Sequence, residues 1–163
     1  MSTLTNVVEA LRGNLKTREH LVVVKIEVQG ATPAAAYAAN DAVGGVFSVD
    51  VPKIGWIIGA KLIDRDDDTL ALTAHIYTER FTGAADNAAY TVGVGDSANW
   101  LTNITFDTVE DEGSFKVSEV VGETFYSSPS GKLWIQCSTT GTPNIASGAL
   151  PILQLAIKVA VGG

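Results

Sequence analysis

Cys137 is the only cysteine in the 163-residue chain, and His20 and His75 are its only histidines. A Cys–His nucleophile pair needs the two side chains in hydrogen-bonding reach and the thiol in a polar, accessible place. Cys137 instead falls in phase with Leu133 and Ile135, on the apolar side of an alternating run. A small, buried core residue is the expectation there. His75 is in phase with Thr73 and Tyr77, which points it at solvent. The two histidines are too far apart for a metal-ligand spacing.

Asp64, Asp66, Asp67 and Asp68 are the densest acidic cluster. Oxygen-rich loops can hold Ca²⁺, but this one lacks the turn glycine and closing glutamate of a calcium loop. It reads as a solvated hairpin tip, and no metal or other cofactor is expected. Asp107, Glu110, Asp111 and Glu112 form a second patch. Glycoside hydrolysis would need two such carboxylates at a set separation across a cleft, and a surface patch is the plainer reading. Gly44-Gly45 and Gly93-Val-Gly95 do not sit between a strand and a helix as a phosphate loop does. Trp56, Trp100 and Trp134 are candidate sugar platforms. Trp134 is out of phase with the apolar side of its run, which points it to a sheet exterior or a subunit interface, partly buried under a loop or neighbour. No catalytic residue is assigned, and a non-enzymatic role is expected.

These side chains need a scaffold, and the chain is long enough to bury a core as one domain. It is 46% hydrophobic and 18% charged, which argues against bulk disorder. The net charge of −7 makes nucleic acid an unsuitable partner, because phosphate binding needs a basic face. One cysteine excludes an internal disulfide framework. No apolar run approaches the roughly 18 residues needed to span a bilayer, and the polar start lacks the apolar stretch of a signal peptide. No membrane partner is expected.

The charge is uneven. Residues 1–25 carry Arg12, Lys16, Arg18 and Lys25 against Glu9 and Glu19, a net of +2, which leaves −9 on the rest. Asn6 as a cap, Glu9 three residues on and the Val7, Val8, Leu11 stripe predict a short helix ending near Gly13. So short a helix must pack on its own domain or on a neighbour, with a slight preference for a neighbour. Residues 1–19 are therefore read as a helical arm and 20–163 as the body.

From residue 20 the pattern alternates. Val22, Val24, Ile26 and Val28 form one apolar side, Leu70, Leu72, Ala74 and Ile76 another. Leu133, Ile135 and Cys137 form a third, and Leu153, Leu155, Ile157, Val159 and Val161 a fourth. Further strands are expected over 46–51, 57–64, 100–109 and 114–121. Asp64 to Asp68 reads as a hairpin connection, and Ser128-Pro-Ser-Gly131 as a turn. Two long Ala/Gly-rich loops, 31–45 and 82–97, are expected to be functional or to pack as ordered surface elements. About eight short strands with such turns indicate an all-β, antiparallel, jelly-roll-like sandwich.

Several segments, in order, look familiar. Tyr37-Ala-Ala-Asn-Asp-Ala-Val-Gly-Gly45, Ile58 to Asp64, Leu70 to Tyr77, Asp86-Asn-Ala-Ala-Tyr90, Gly131 to Ser147 and residues 152–161 resemble successive segments of a broad family of tailed-bacteriophage virion proteins. The resemblance spans roughly residues 20–161. It implies a jelly-roll structural protein of the virion, and some members look like capsid decoration or cement proteins sitting as trimers on the head. It therefore implies a homotrimer on the head surface with the major capsid protein as partner. Arg12, Lys16 and Arg18 would then dock on an acidic surface of the capsid protein or of a neighbouring protomer. A tail or fibre adhesin binding host saccharide is the alternative. Within the motifs, Asp41, Gly44, Gly45, Asp86, Asn87 and Tyr90 are expected to fix the two long loops, the polar side chains by bonding nearby backbone and Tyr90 by pinning its loop to the sheet.

Overall fold

The computed structural model describes residues 20–29, 31, 36–65, 70–145 and 149–159. The proposed arm and its Arg12, Lys16 and Arg18 lie outside the described residues, as do Asp66, Asp67 and Asp68.

Among the described residues nine strands run in chain order: β1 (His20–Glu27), β2 (Ala42–Asp50), β3 (Ile54–Asp64), β4 (Leu72–Tyr77), β5 (Trp100–Phe106), β6 (Glu110–Asp111), β7 (Lys116–Ser127), β8 (Lys132–Thr139) and β9 (Ile152–Val159). A 3₁₀ segment, Val94–Asn99, precedes β5. One sheet has the order β1-β9-β3-β7-β6 and the other β2-β8-β4-β5, with every pairing antiparallel. Leaving out the two-residue β6, the eight long strands change sheet at every step except from β4 to β5, which is the winding of a jelly roll. The expected sandwich and its jelly-roll topology are therefore present.

The core fills the space between the sheets. Ile57, Ala60, Leu62, Leu153, Leu155 and Ile157 come from the first sheet. Phe47, Val49, Leu72, Ile76, Phe106, Leu133 and Ile135 come from the second. Cys137 is buried among them, as its phase indicates.

The inward phase of β3 changes along its length. Gly55 and Ile57 face in before the break, and Ala60, Leu62 and Asp64 after it. The register against β9 slips between Ile57 and Gly59, so one extra residue is absorbed as a bulge. Both halves of β3 thus keep their apolar side on the core.

Asp64 to Asp68 does not close a hairpin. β3 and β4 belong to different sheets, so this segment crosses the sandwich, and Asp64 is buried. Alternation marks a strand that is half-buried but does not say whether its neighbour in sequence lies beside it or across from it. In this winding only β4–β5 and β6–β7 are consecutive and paired. The turn at Ser128 is present and also crosses between sheets. Gly131 N–H donates to the Ser128 carbonyl at 2.9 Å, and Gly131 takes a positive φ of 68°. β7 runs on to Ser127, past the expected end at 121: Gly122 and Thr124 interrupt its apolar alternation, and its pairing with β3 resumes beyond a register shift between Val121 and Thr124. β2 begins at Ala42, so Gly44 and Gly45 lie within it, inside a register break between Val43 and Phe47.

Leu155 is fully buried and pairs with both Val24 and Ala60. Leu155→Ala is expected to lower unfolding free energy by about 2–5 kcal/mol, read from urea denaturation midpoints.

Candidate functional site

The outward phase of β8 carries Trp134, Gln136 and Ser138, and that of β4 carries Thr73, His75 and Tyr77. These should meet water, yet Gln136 is 0% exposed and Tyr77 is buried. The covering comes from the chain itself. The loop after β4 folds over this face, and Gln136 binds it with its whole amide. Gln136 Nε2 donates to the Ala84 carbonyl at 2.7 Å and to the Gly44 carbonyl at 2.9 Å. Its Oε1 accepts the Ala84 N–H at 3.0 Å. Any Cβ at Gly83 would lie 2.3 Å from that oxygen, so only glycine permits the approach.

Five of the six motif residues join this cover, Asn87 through its backbone N–H, while Gly45 bonds outside it to Gln29. Asp86 Oδ1 accepts the Gly44 N–H at 2.7 Å and the Tyr37 hydroxyl at 2.9 Å, so one carboxylate ties both long loops. Asp41 Oδ2 accepts the Ala38 N–H at 2.8 Å. Asn87 N–H donates to the Ala42 carbonyl and Ala42 N–H to the Ala88 carbonyl, each at 2.8 Å. Tyr90 N–H donates to the Asn40 carbonyl at 2.8 Å, and Gly45 N–H to that of Gln29 at 3.1 Å. Asn87 takes a positive φ of 57°, which asparagine tolerates better than most residues. Gly44 has φ of 74° and would place a Cβ 2.2 Å from the Gln29 carbonyl oxygen.

Tyr90 lies flat on His75, with ring centroids 3.9 Å apart and planes 12° from parallel. The expected solvent-facing histidine is instead half-buried beneath this loop. Strand phase gives the face a side chain points to, not what lies on that face. Asn103 Oδ1 accepts Trp100 Nε1–H at 3.0 Å and lies 3.0 Å from His75 Nδ1, so His75 donates there. His75 Nε2 then accepts from the Ser138 hydroxyl at 2.9 Å. Burial lowers the imidazole pKa below its usual value, and the Asn103 bond opposes this only in part. Burial pushes the Cys137 thiol up to about 12, so it is no nucleophile at neutral pH.

No group of three or more metal-ligating side chains occurs among the described residues. Glu110, Asp111 and Glu112 are exposed, and Asp111 Oδ1 accepts Gly113 N–H at 2.8 Å in a local turn. Trp134 is half-buried on the sheet exterior, with the Arg80 guanidinium 5.7 Å from its ring centre.

Among the described residues the other sheet is bare outside. Leu21 and Val23 on β1 are each 59% exposed, Val121 on β7 89% and Phe125 54%. Trp56 packs on Phe125 at 5.3 Å, and the Lys158 ammonium lies 5.7 Å over the Trp56 ring. Gly59 and Ala156 leave a shallow groove between Val23 and Val121. What this surface can do chemically is adhere. Sequence reasoning did not single it out, although Leu21 and Val23 in the supposedly polar phase of β1 signal it.

Asp86→Ala removes the acceptor shared by Gly44 and Tyr37, and a loss of about 1–3 kcal/mol is expected, together with faster amide exchange at Gly44. His75 binds fewer protons folded than unfolded. Its stabilising contribution is therefore complete well above pH 6.5 and is lost as pH falls below that value. Thermal melts between pH 7.5 and 5 are expected to show a fall that is smaller in His75→Asn. No protein-family model, no curated protein and no solved structure matches the chain.

Proposed function

We propose that this chain is a decoration, or cement, protein of a tailed-bacteriophage head, which binds the outside of the shell and stabilises it without catalysing a reaction. The observation that carries the reading is the bare apolar outer face of one sheet, set beside the self-covered outer face of the other. A surface with Leu21, Val23, Val121 and Phe125 exposed is suited to contact with protein. The ordered motif resemblance to phage virion proteins supplies the class of partner, the major capsid protein.

The physics of cementing agrees. A shell under internal pressure pushes its subunits apart, and a bridging protein opposes this by adding interface area. Antiparallel ladders packed on a common core resist such load, because many hydrogen bonds and the core contacts must break together. The buried thiol and the fully engaged imidazole lend support from the chemical side, since neither is free for turnover. Self-association into trimers on the head is the arrangement the resemblance supplies, and Arg12, Lys16 and Arg18 remain the docking candidates of the arm.

One observation favours the adhesin alternative. Trp56 and Phe125 form an aromatic pair beside Lys158 on an open face, which resembles a saccharide platform. Copy number separates the two readings. Quantitative mass spectrometry and imaging of intact particles are expected to place hundreds of copies on the head. A ring of six or twelve copies at the tail, together with hits on a glycan array, would favour the adhesin.

A further inference from the structure

We infer that the free edge of β1 pairs antiparallel with β1 of a second copy of this chain, joining two five-stranded sheets into one. This goes beyond the shell-decorating reading and does not depend on it: it concerns the free protein in solution, not a trimer formed on the head.

β1 pairs only with β9, so its other edge offers a row of backbone donors and acceptors without a strand partner among the described residues. Proteins usually guard such an edge with a bulge, a proline or a charge. Over Leu21–Val24 there is none of these, and the β1–β9 register runs without a break. The strand is also apolar on both faces. Leu21 and Val23 point outward at 59% exposure, while Val22, in the inward phase, is still 36% exposed. The other edges differ. β2 is largely buried beside the covering loops, and β5 presents Thr102, Asn103 and Thr105; β6 covers only Lys116 and Val117 of β7, whose remaining edge carries Glu119, Glu123 and a register shift between Val121 and Thr124.

A second copy satisfies both the edge and the two faces. A two-fold axis through Val23, perpendicular to the sheet, sets Val22 of each copy opposite Val24 of the other on the inward face. On the outward face it sets Val23 opposite its own counterpart and Leu21 opposite the aliphatic stem of Lys25. Shifting the axis to Val24 would oppose Leu21 to Glu27 and lose this match.

Charge points the same way. The chain carries −7, yet on β1 Lys25 offsets Glu27. Across the whole outer face Lys25, Lys61, Arg65 and Lys158 offset Glu27, Glu110, Glu119 and Glu123. Two acidic bodies can therefore meet along a neutral stripe, with the remaining repulsion screened over about 8 Å in physiological salt. A strongly charged partner would find no complementary field there.

Sedimentation equilibrium on the full chain is expected to give twice the 17.1 kDa monomer mass. Val23→Lys places a charge on the axis and is expected to weaken association by at least about tenfold, with an unchanged far-UV spectrum. Val23→Cys gives an independent readout, since Cys137 is buried and cannot compete. A short bis-maleimide is expected to link it into covalent dimers, and Phe125→Cys not. Monomers at every concentration would overturn the inference. So would trimers indifferent to Val23→Lys, or dimers that appear only after residues 1–19 are removed, which would assign the edge to that segment instead.

Discussion

A primary amide carries two donor hydrogens and an acceptor oxygen, and at Gln136 none of them reaches water. Leaving them unpaired would cost more than the burial gains, so this one side chain constrains both the loop after β4 and the irregular stretch of β2. It takes the carbonyls of Gly44 and Ala84 and the amide of Ala84, and so holds that loop on the sheet beside β2. The rest of that face follows from it. Gly83 has to be glycine, Asp86 can reach across to Gly44 and Tyr37, and Tyr90 can settle on His75. The altered acidity of His75 is a remote result of the same cover, because the loop that shelters the ring also desolvates it.

The parts of the fold legible in the sequence were those governed by a local period. Leu133, Ile135 and Cys137 sit on the core side because a strand alternates with period two. The same rule places Leu72, Ala74 and Ile76, and it extends to the class of the fold. What the period does not encode is which strand lies next to which. The acidic stretch after Ile63 reads as a hairpin for that reason, whereas β3 and β4 lie in different sheets. Nor does it encode a second layer on the outside. Gln136 and His75 occupy outward positions in both readings, and only the long-range loop contacts bury them. The loop motif itself was recognisable, since Asp, Asn and Gly are the residues that bend and bind backbone, but its partners come from distant parts of the chain.

The two sheets use their outer faces differently. One is closed by hydrogen-bonded backbone and stacked rings, and so offers little apolar surface to a partner. The other keeps its valines, leucine and aromatics in the open, among basic and acidic side chains of matched number. Ion pairs there, such as Lys61 with Glu119 and Arg65 with Glu27, are exposed and contribute little to the stability of the single chain. Their use lies in balancing charge, so that an acidic molecule has a place where another body can approach.

The pairing of β1 with β9 has a consequence in time. Val22 meets Ile157, so the first described strand is completed by the last. During synthesis, at about 5–20 residues per second, β1 emerges and then waits on the order of ten seconds for its strand partner among the described residues. Throughout that interval both of its edges are open. Neighbouring nascent chains on one message are then competitors for the same strand. Folding of this molecule is therefore a race between β9 and other copies for β1, and its yield should depend on ribosome spacing as much as on the stability of the finished sandwich.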